Sequence, residues 1–299
     1  MIFRRTVLSA ALLSVGISAL SLGAGADDLS YRASVEKWRQ DRETRLKSDD
    51  GWLTVSGLFW LHEGENRFGA GALNDIVLSG ESVPEEAGSF TFLKGKTVVH
   101  ANRNANITLN GKPVQSVKLH PDSSSDRVHL GDLTLYVHAS GERYAIRVKD
   151  KNSKLRKDFT GLHWFSIDES YRVTGRFVPY IPQKRLAIQN VLGDFDMDSI
   201  VGYVIFSLQG KEYRLEAEQD NPKTLSFVFR DLTSGKETYP AARFLGTDVP
   251  SNGSVILDFN EAYNPPCAYN PYTTCPLPTR GNRLRVEIRA GEQIYKHDH

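Results

Sequence analysis

Only two of the 299 residues are cysteine. That excludes a fold stapled by several disulfides, and it excludes a structural metal centre built from cysteine alone. The net charge is only +1, with 37 basic against 36 acidic residues, so the chain has no general attraction for nucleic acid or anionic lipid. The short "LRK" and "QKR" clusters do not change this. Beyond the first two dozen residues no apolar run is long enough to cross a bilayer. No Gly-x-Ser-x-Gly nucleophile elbow, no His-Glu-x-x-His zinc helix and no glycine-rich nucleotide loop occurs. His62, His100, His120, His129, His138 and His163 are scattered without ligand spacing. No cofactor and no metal is expected, although residues that converge only in space leave no motif.

The N-terminus does carry a signal. Arg4 and Arg5 precede an apolar stretch, Val7 to Leu22, and Ala24-Gly25-Ala26 supplies small residues for cleavage. Residues 1–26 therefore read as a secretory signal peptide, and the mature protein as periplasmic or secreted. Next, "YRASVEKWRQDRETRLKSDD" places Val35, Trp38, the stem of Arg42 and Leu46 at helical spacing, so residues 27–50 are expected to form a helical lead-in.

From Gly51 the period shortens to that of strands. "WLTVSGLFWL", "NDIVL", "SFTFL", "KTVVH", "NITLN" and "LTLYVHASGERYAIRV" define a β module over 51–150, with turns at Asn110-Gly111 and Ser140-Gly141. The charged segment "KDKNSKLRKDFTG" reads as a boundary. A second antiparallel β module, sandwich or barrel, is expected over 158–299, from "YRVTGRFVPY", "GYVIFSLQGKEYRLEA", "TLSFVFRDL", "SVILDF" and "RLRVEIRAGEQIY". The fold class is thus mainly β with an N-terminal helix.

The densest stretch is "LDFNEAYNPPCAYNPYTTCPLP", Leu257 to Pro278, which holds both cysteines and five of the thirteen prolines. An even cysteine count in an exported chain predicts a disulfide, Cys267 to Cys275, worth about 2.6 kcal/mol for so short a loop. Paired thiols on a metal would need two further ligands. Alternation puts Asp258 and Asn260 on one side of a strand, with Glu261 beyond. They could bind a hydroxylated ligand, or they could cap turns and satisfy the backbone of the proline-rich loop.

The candidate ligand-binding set is Asp258, Asn260, Tyr263, Asn264 and Tyr269, with Arg176 and Tyr180 of "GRFVPY" as neighbours. The ligand expected is a small molecule, glycan or envelope component. The alternative is a hydrolase, with or without an assisting metal ion, using Asp258 or Glu261 as acid or base. "GDFDMDS" offers Asp194, Asp196 and Asp198 at alternating positions, but Ser199 and Ile205 stand where a calcium loop needs glycine and glutamate. A solvated acidic turn is expected there.

Across the mature chain, "GWLTVSGLFWLHEGENRFG", "RYAIRVKD", "RFVPY", "NVLG", "DFNEAYNPPCAY", "CPLP" and "AGE" resemble the bacterial and archaeal family called domain of unknown function 1684. That resemblance implies no activity. Within the first module, "NRFGAGALNDIVL", Asn110-Gly111 and Leu130-Gly131-Asp132 are similar in order to the forkhead-associated β-sandwich. Its phosphothreonine-binding residues do not carry over: Ala70 follows Gly69, no Ser-x-x-His follows Leu78, and only Asn110 matches. The resemblance therefore implies the sandwich and not the phosphopeptide activity.

Overall fold

The computed structural model describes residues 22–296, with side chains from residue 28. The expected signal segment falls mostly on residues 1–21, outside the described residues. Helix α1 spans Leu22–Lys47. Straight-chain residues dominate it from Ser34 onward, with no glycine or proline to interrupt it. Arg45 and Lys47 in its last turn oppose the helix dipole. It stops because the chain turns sharply at Gly51, whose N–H donates to the Ser48 carbonyl at 2.8 Å. A Cβ there would lie 2.1 Å from the Leu46 carbonyl oxygen, so only glycine fits. The stripe is as its spacing predicts: Val35, Arg42 and Leu46 are buried and Trp38 is half-buried.

The first β region has two sheets. One contains β1 (Val55–Trp60) and, further along the chain, β6 (Ile107–Leu109), β7 (Lys112–Pro113), β9 (Val128–Leu130), β10 (Leu133–Ser140) and β11 (Arg143–Asp150), in the order β1-β11-β10-β9-β6-β7. The other contains β2 (Gly64–Gly69), β3 (Ile76–Val77), β4 (Gly88–Leu93), β5 (Lys96–Ala101) and β8 (Ser116–Leu119), in the order β3-β2-β4-β5-β8. Leu135, Val137, Ile146 and Val148 from the first sheet share one buried cluster with Phe68, Phe90 and Val99 from the second, which makes a sandwich. Tyr136, Arg147 and Lys149 fall on the alternate face of the first sheet.

The second β region is one antiparallel sheet. Its strands are β12 (Arg172–Gln189), β13 (Phe195–Leu208), β14 (Lys211–Asn221), β15 (Thr224–Phe229), β16 (Arg243–Asp248) and β17 (Ser254–Asp258), in the order β16-β15-β14-β13-β12-β17. The sheet curls until its edges approach, where Thr247 Oγ1 of β16 donates to the Ile256 carbonyl of β17 at 2.6 Å. The result is a nearly closed barrel. Val204, Phe206, Leu215, Phe227, Phe229, Leu245, Leu257 and Phe259 fill its interior.

Leu284, Val286, Ile288 and Ala290 join the same core, alternating with exposed neighbours as a strand would. They form no named strand. Their backbone is held piecemeal, through Leu284 N–H to the Arg230 carbonyl and Leu232 N–H to the Val286 carbonyl. Period-two burial there reports a core contact and not a ladder.

The two β regions meet at the β10–β11 turn. Asp194 takes both Arg143 nitrogens at 2.9 and 2.6 Å and the Ser140 hydroxyl at 2.8 Å, and Asp196 accepts the Gly141 N–H at 2.8 Å. The acidic run expected to be a solvated turn is in part a joint.

The expected disulfide is not formed. Cys267 and Cys275 are free thiols, side by side, with the Cys267 N–H 3.3 Å from Cys275 Sγ. Other contacts fix the loop in place of a staple. Tyr239 Oη donates to the Cys267 carbonyl at 2.9 Å, and the Asn270 side chain reaches the Trp52 carbonyl at 3.1 Å and the Tyr272 N–H at 3.0 Å.

Candidate functional site

Asp258 closes β17 opposite Arg172. Its carboxylate accepts the Tyr31 hydroxyl from α1 at 3.0 and 2.8 Å, caps the following 3-10 turn through Asn260 N–H at 3.0 Å, and lies 3.7 Å from Arg172 Nε. Asn260 is fully buried. Its Nδ2 donates to Tyr31 Oη at 2.9 Å and the Asp168 carbonyl at 2.8 Å, while its Oδ1 accepts the Asp168 N–H at 3.0 Å. Burial first, and then Asp258, push the Tyr31 hydroxyl above its ordinary range, so it stays a donor. These two residues therefore spend their polar atoms fastening α1 to the barrel.

Asn264 and Tyr269 belong to a second, deeper fastening. Arg42 donates Nε to Glu292 at 2.9 Å and Nη2 to the Asn264 carbonyl at 2.8 Å and Tyr269 Oη at 3.0 Å. Glu292, wholly buried, also accepts from Asn264 Nδ2 at 2.8 Å and from the Tyr269 hydroxyl. The Arg42 guanidinium lies 4.3 Å from the centre of the Tyr263 ring, itself 6.1 Å from Trp38. A charge this deep is tolerated because Nε and Nη2 are spent on a carboxylate, a carbonyl and a hydroxyl and the guanidinium lies over an aromatic face.

Arg176 and Tyr180 are not drawn into this group. Arg176 is exposed on β12, four residues from Arg172, roughly 13 Å along the strand. Tyr180 instead donates to Glu216 at 3.2 Å beneath Lys184.

Between α1 and the outer face of β15, β16 and β17 lies a cleft of about 960 Å³. Tyr31, Trp38, Trp52 and Tyr263 give it aromatic walls, and Ser226 and Thr247 give it hydroxyls. Glu261 stands on it with its carboxyl pushed up to about 7, by burial first and then by Asp258, against the pull of Arg172 and Arg39. Asp220, Ser226 and Tyr263 are shared with a second pocket of about 440 Å³ that also holds Asp196, Asp198 and Glu218. Glu218 is likewise raised to about 7, by burial and then by Asp198 and Asp220. Among the described residues no group of three or more His, Cys, Asp or Glu side chains is arranged to hold a metal ion.

The set expected from sequence thus lies partly under the cleft and partly on it: Asp258 and Tyr263 line it, while Asn260, Asn264 and Tyr269 support it from below. Tyr31, Trp52, Arg42 and Glu292 join the site without any sequence signal that marks them as site residues. Arg42 was visible only as a stem in the helical stripe, and Glu292 only within "AGE". Nothing local tells that these two, 250 positions apart, form an ion pair.

The family model described as protein of unknown function, DUF1684, matches residues 157–293, a narrower span than the resemblance read across the mature chain. A solution structure of an uncharacterized protein of Haloarcula marismortui is 33% identical, over 46% of this chain and 78% of that one, with a TM-score of 0.40. The FhaA forkhead-associated domain, solved in complex with the intracellular domain of Rv3910, is 20% identical over 31% of this chain and 97% of its own, with a TM-score of 0.23. Another solved structure, of the Rv0020c forkhead-associated domain, is 22% identical over 30% of this chain and 76% of its own, with a TM-score of 0.22. Comparison with curated proteins gives no match. Residues 157–293, nearly half of the chain, thus match the family described as protein of unknown function, DUF1684.

Proposed function

We propose that this protein is an exported binder of a small hydroxylated ligand, a saccharide of the cell envelope above all, held in the cleft between α1 and the barrel. The observation that carries this is the cleft itself. Its volume suits one or two sugar rings, and it sets aromatic faces beside carboxylates, hydroxyls and Arg172. Flat rings cover the apolar faces of a sugar, and carboxylates accept from its hydroxyls. Trp52, 38% exposed on the rim, is available to stack.

The test is calorimetric titration of the full chain with oligosaccharide fragments of the envelope. Trp52→Ala is expected to weaken binding about tenfold or more, roughly 1.4 kcal/mol, with little change in thermal stability. Failure of every fragment to bind, or unchanged affinity in Trp52→Ala and Glu261→Gln alike, would sink this reading. Export is part of the proposal. Protein recovered from its host should begin at Asp27; a chain still beginning at Met1 would count against it. No helix of the described residues is long and apolar enough to cross a membrane.

The hydrolase alternative around Asp258 draws support from one feature. Glu261, protonated up to about pH 7, is set as a general acid, whereas Asp258 is committed to Tyr31 and Asn260. Glycoside turnover that vanishes in Glu261→Gln while binding persists would favour the enzyme.

A further inference from the structure

A second constellation lies where the first sheet meets the cysteine loop, built from residues that do not line the α1 cleft. Asp122 Oδ1 is 2.8 Å from His138 Nδ1, and His138 Nε2 is 2.8 Å from Thr274 Oγ1. Asp122 is itself oriented by the Ala139 N–H, 3.1 Å from Oδ2. Burial would raise its carboxyl, but the His138 hydrogen bond and charge, with the Ala139 N–H and Arg147, outweigh that and hold it below its usual value. An ionised carboxylate can only accept, so Nδ1 carries the proton. In the neutral ring Nε2 is then the bare nitrogen, and it faces the Thr274 hydroxyl.

On the other side of that hydroxyl stands Arg147, with Nη2 at 3.4 Å. Arg147 is 4% exposed, its Nε has no hydrogen-bond partner, and no carboxylate lies within 4 Å of it among the described residues. Around the Tyr136 ring it shares space with Arg127 at 3.8 Å and Lys149 at 5.9 Å, three cations against Asp50, 3.8 Å from Lys149, and the Asp122 carboxylate, which is already paired with His138. Excess positive charge and a free donor beside a hydroxyl suit the negative oxygen of an acyl-transfer transition state. Thr274 also lines the pocket of about 440 Å³, together with Phe244, Tyr263 and Pro276.

We propose that Asp122, His138 and Thr274 form a nucleophilic triad that hydrolyses small carboxylic esters, with Arg147 at the oxyanion. Thr274 Oγ bonds to the ester carbonyl carbon while its proton passes to His138 Nε2. The carbonyl oxygen takes the negative charge beside Arg147. Collapse breaks the ester C–O bond, and the alcohol leaves with the proton from Nε2. Water then attacks the acyl-threonine in the same way, releasing the acid and restoring the hydroxyl. Asp122 is a positioning residue. Asp196, Asp198, Glu218 and Asp220 line the pocket, so esters with neutral or cationic groups are favoured over anionic ones.

The same three hydrogen bonds could serve only to fasten the sheet to the loop. The full chain, incubated with a fluorophosphonate probe and mapped by peptide mass, separates the cases, alongside turnover of p-nitrophenyl butyrate. The triad requires the label on Thr274, near-complete loss of turnover in Thr274→Val and His138→Gln, retention within about tenfold in Thr274→Ser, and a fall of about 10³-fold or more in Asp122→Asn. A fastening role predicts a similar loss of thermal stability in those variants with no label. Absence of label and turnover in folded wild type, or turnover unchanged in Thr274→Val, overturns the proposal. Should Thr274→Val not fold, the wild-type label and the serine variant still decide. Saccharide binding in the α1 cleft should be intact in Thr274→Ser, so the two readings fail separately.

Discussion

Arg42 shows how much one side chain can decide. It is 9% exposed and reaches Glu292, Asn264 and Tyr269 from near the C-terminal end of α1. Burial works against its charge, and Glu292, Tyr269 and Tyr263 together more than offset that. Removing one partner strands the other without water. Arg42→Met is therefore expected to cost about 3–5 kcal/mol in urea unfolding, and Arg42→Met combined with Glu292→Gln less than the sum of the two single changes. Strict additivity would show that the pair does not act as a unit. Sequence made Arg42 visible only as part of an amphipathic stripe. Its charged end was illegible because the partner that makes burial tolerable lies at the far end of the chain.

At the scale of elements, α1 is the piece whose role differs most from expectation. A lead-in with a narrow apolar stripe could have frayed; polar fastenings at Asp258–Asn260 and at Glu292 hold it against the barrel, and the cleft exists only because it is held there. The two Nδ2 hydrogens of Asn260 lie among three acceptors, Tyr31 Oη, the Asp168 carbonyl and Asp258 Oδ1, and its Oδ1 accepts the Asp168 N–H, so Asn260→Ala is expected to cost about 2–4 kcal/mol. Amide exchange along Tyr31–Arg42 should rise with it. Unchanged exchange there would mean that the apolar stripe alone docks the helix. The alternating segment at Leu284 to Ala290 carries the complementary lesson. Its pattern correctly marked a buried face, but alternation cannot tell a strand in a ladder from an extended segment closing a barrel's core.

For the whole molecule, the carboxylates on the outer face of the barrel couple stability to pH. Glu218 and Glu261 titrate at about 7 in the folded chain, against an ordinary value of 4.5. Between those values the folded state holds protons that the unfolded state has released. Their contribution to stability is therefore greatest at low pH, falls as pH rises through that window, and is smallest above 7. Thermal unfolding at pH 5 and pH 8 should show Glu218→Gln stabilised relative to wild type at pH 8, with the difference shrinking toward pH 5. A difference of the opposite sign would show that Glu218 is not desolvated.

Sequence by itself determined the secondary-structure character of this protein. Period-two alternation, turn glycines and one helical stripe are local consequences of side chains choosing between core and water, and they are readable wherever the chain is written. The tertiary structure alone decided that the second sheet closes into a barrel, that α1 roofs a cleft on it, that Cys267 and Cys275 sit together unbonded, and that Asp122, His138 and Thr274 align. Each of those facts depends on contacts between distant positions, where geometry and desolvation act on pairs that no short window of sequence contains.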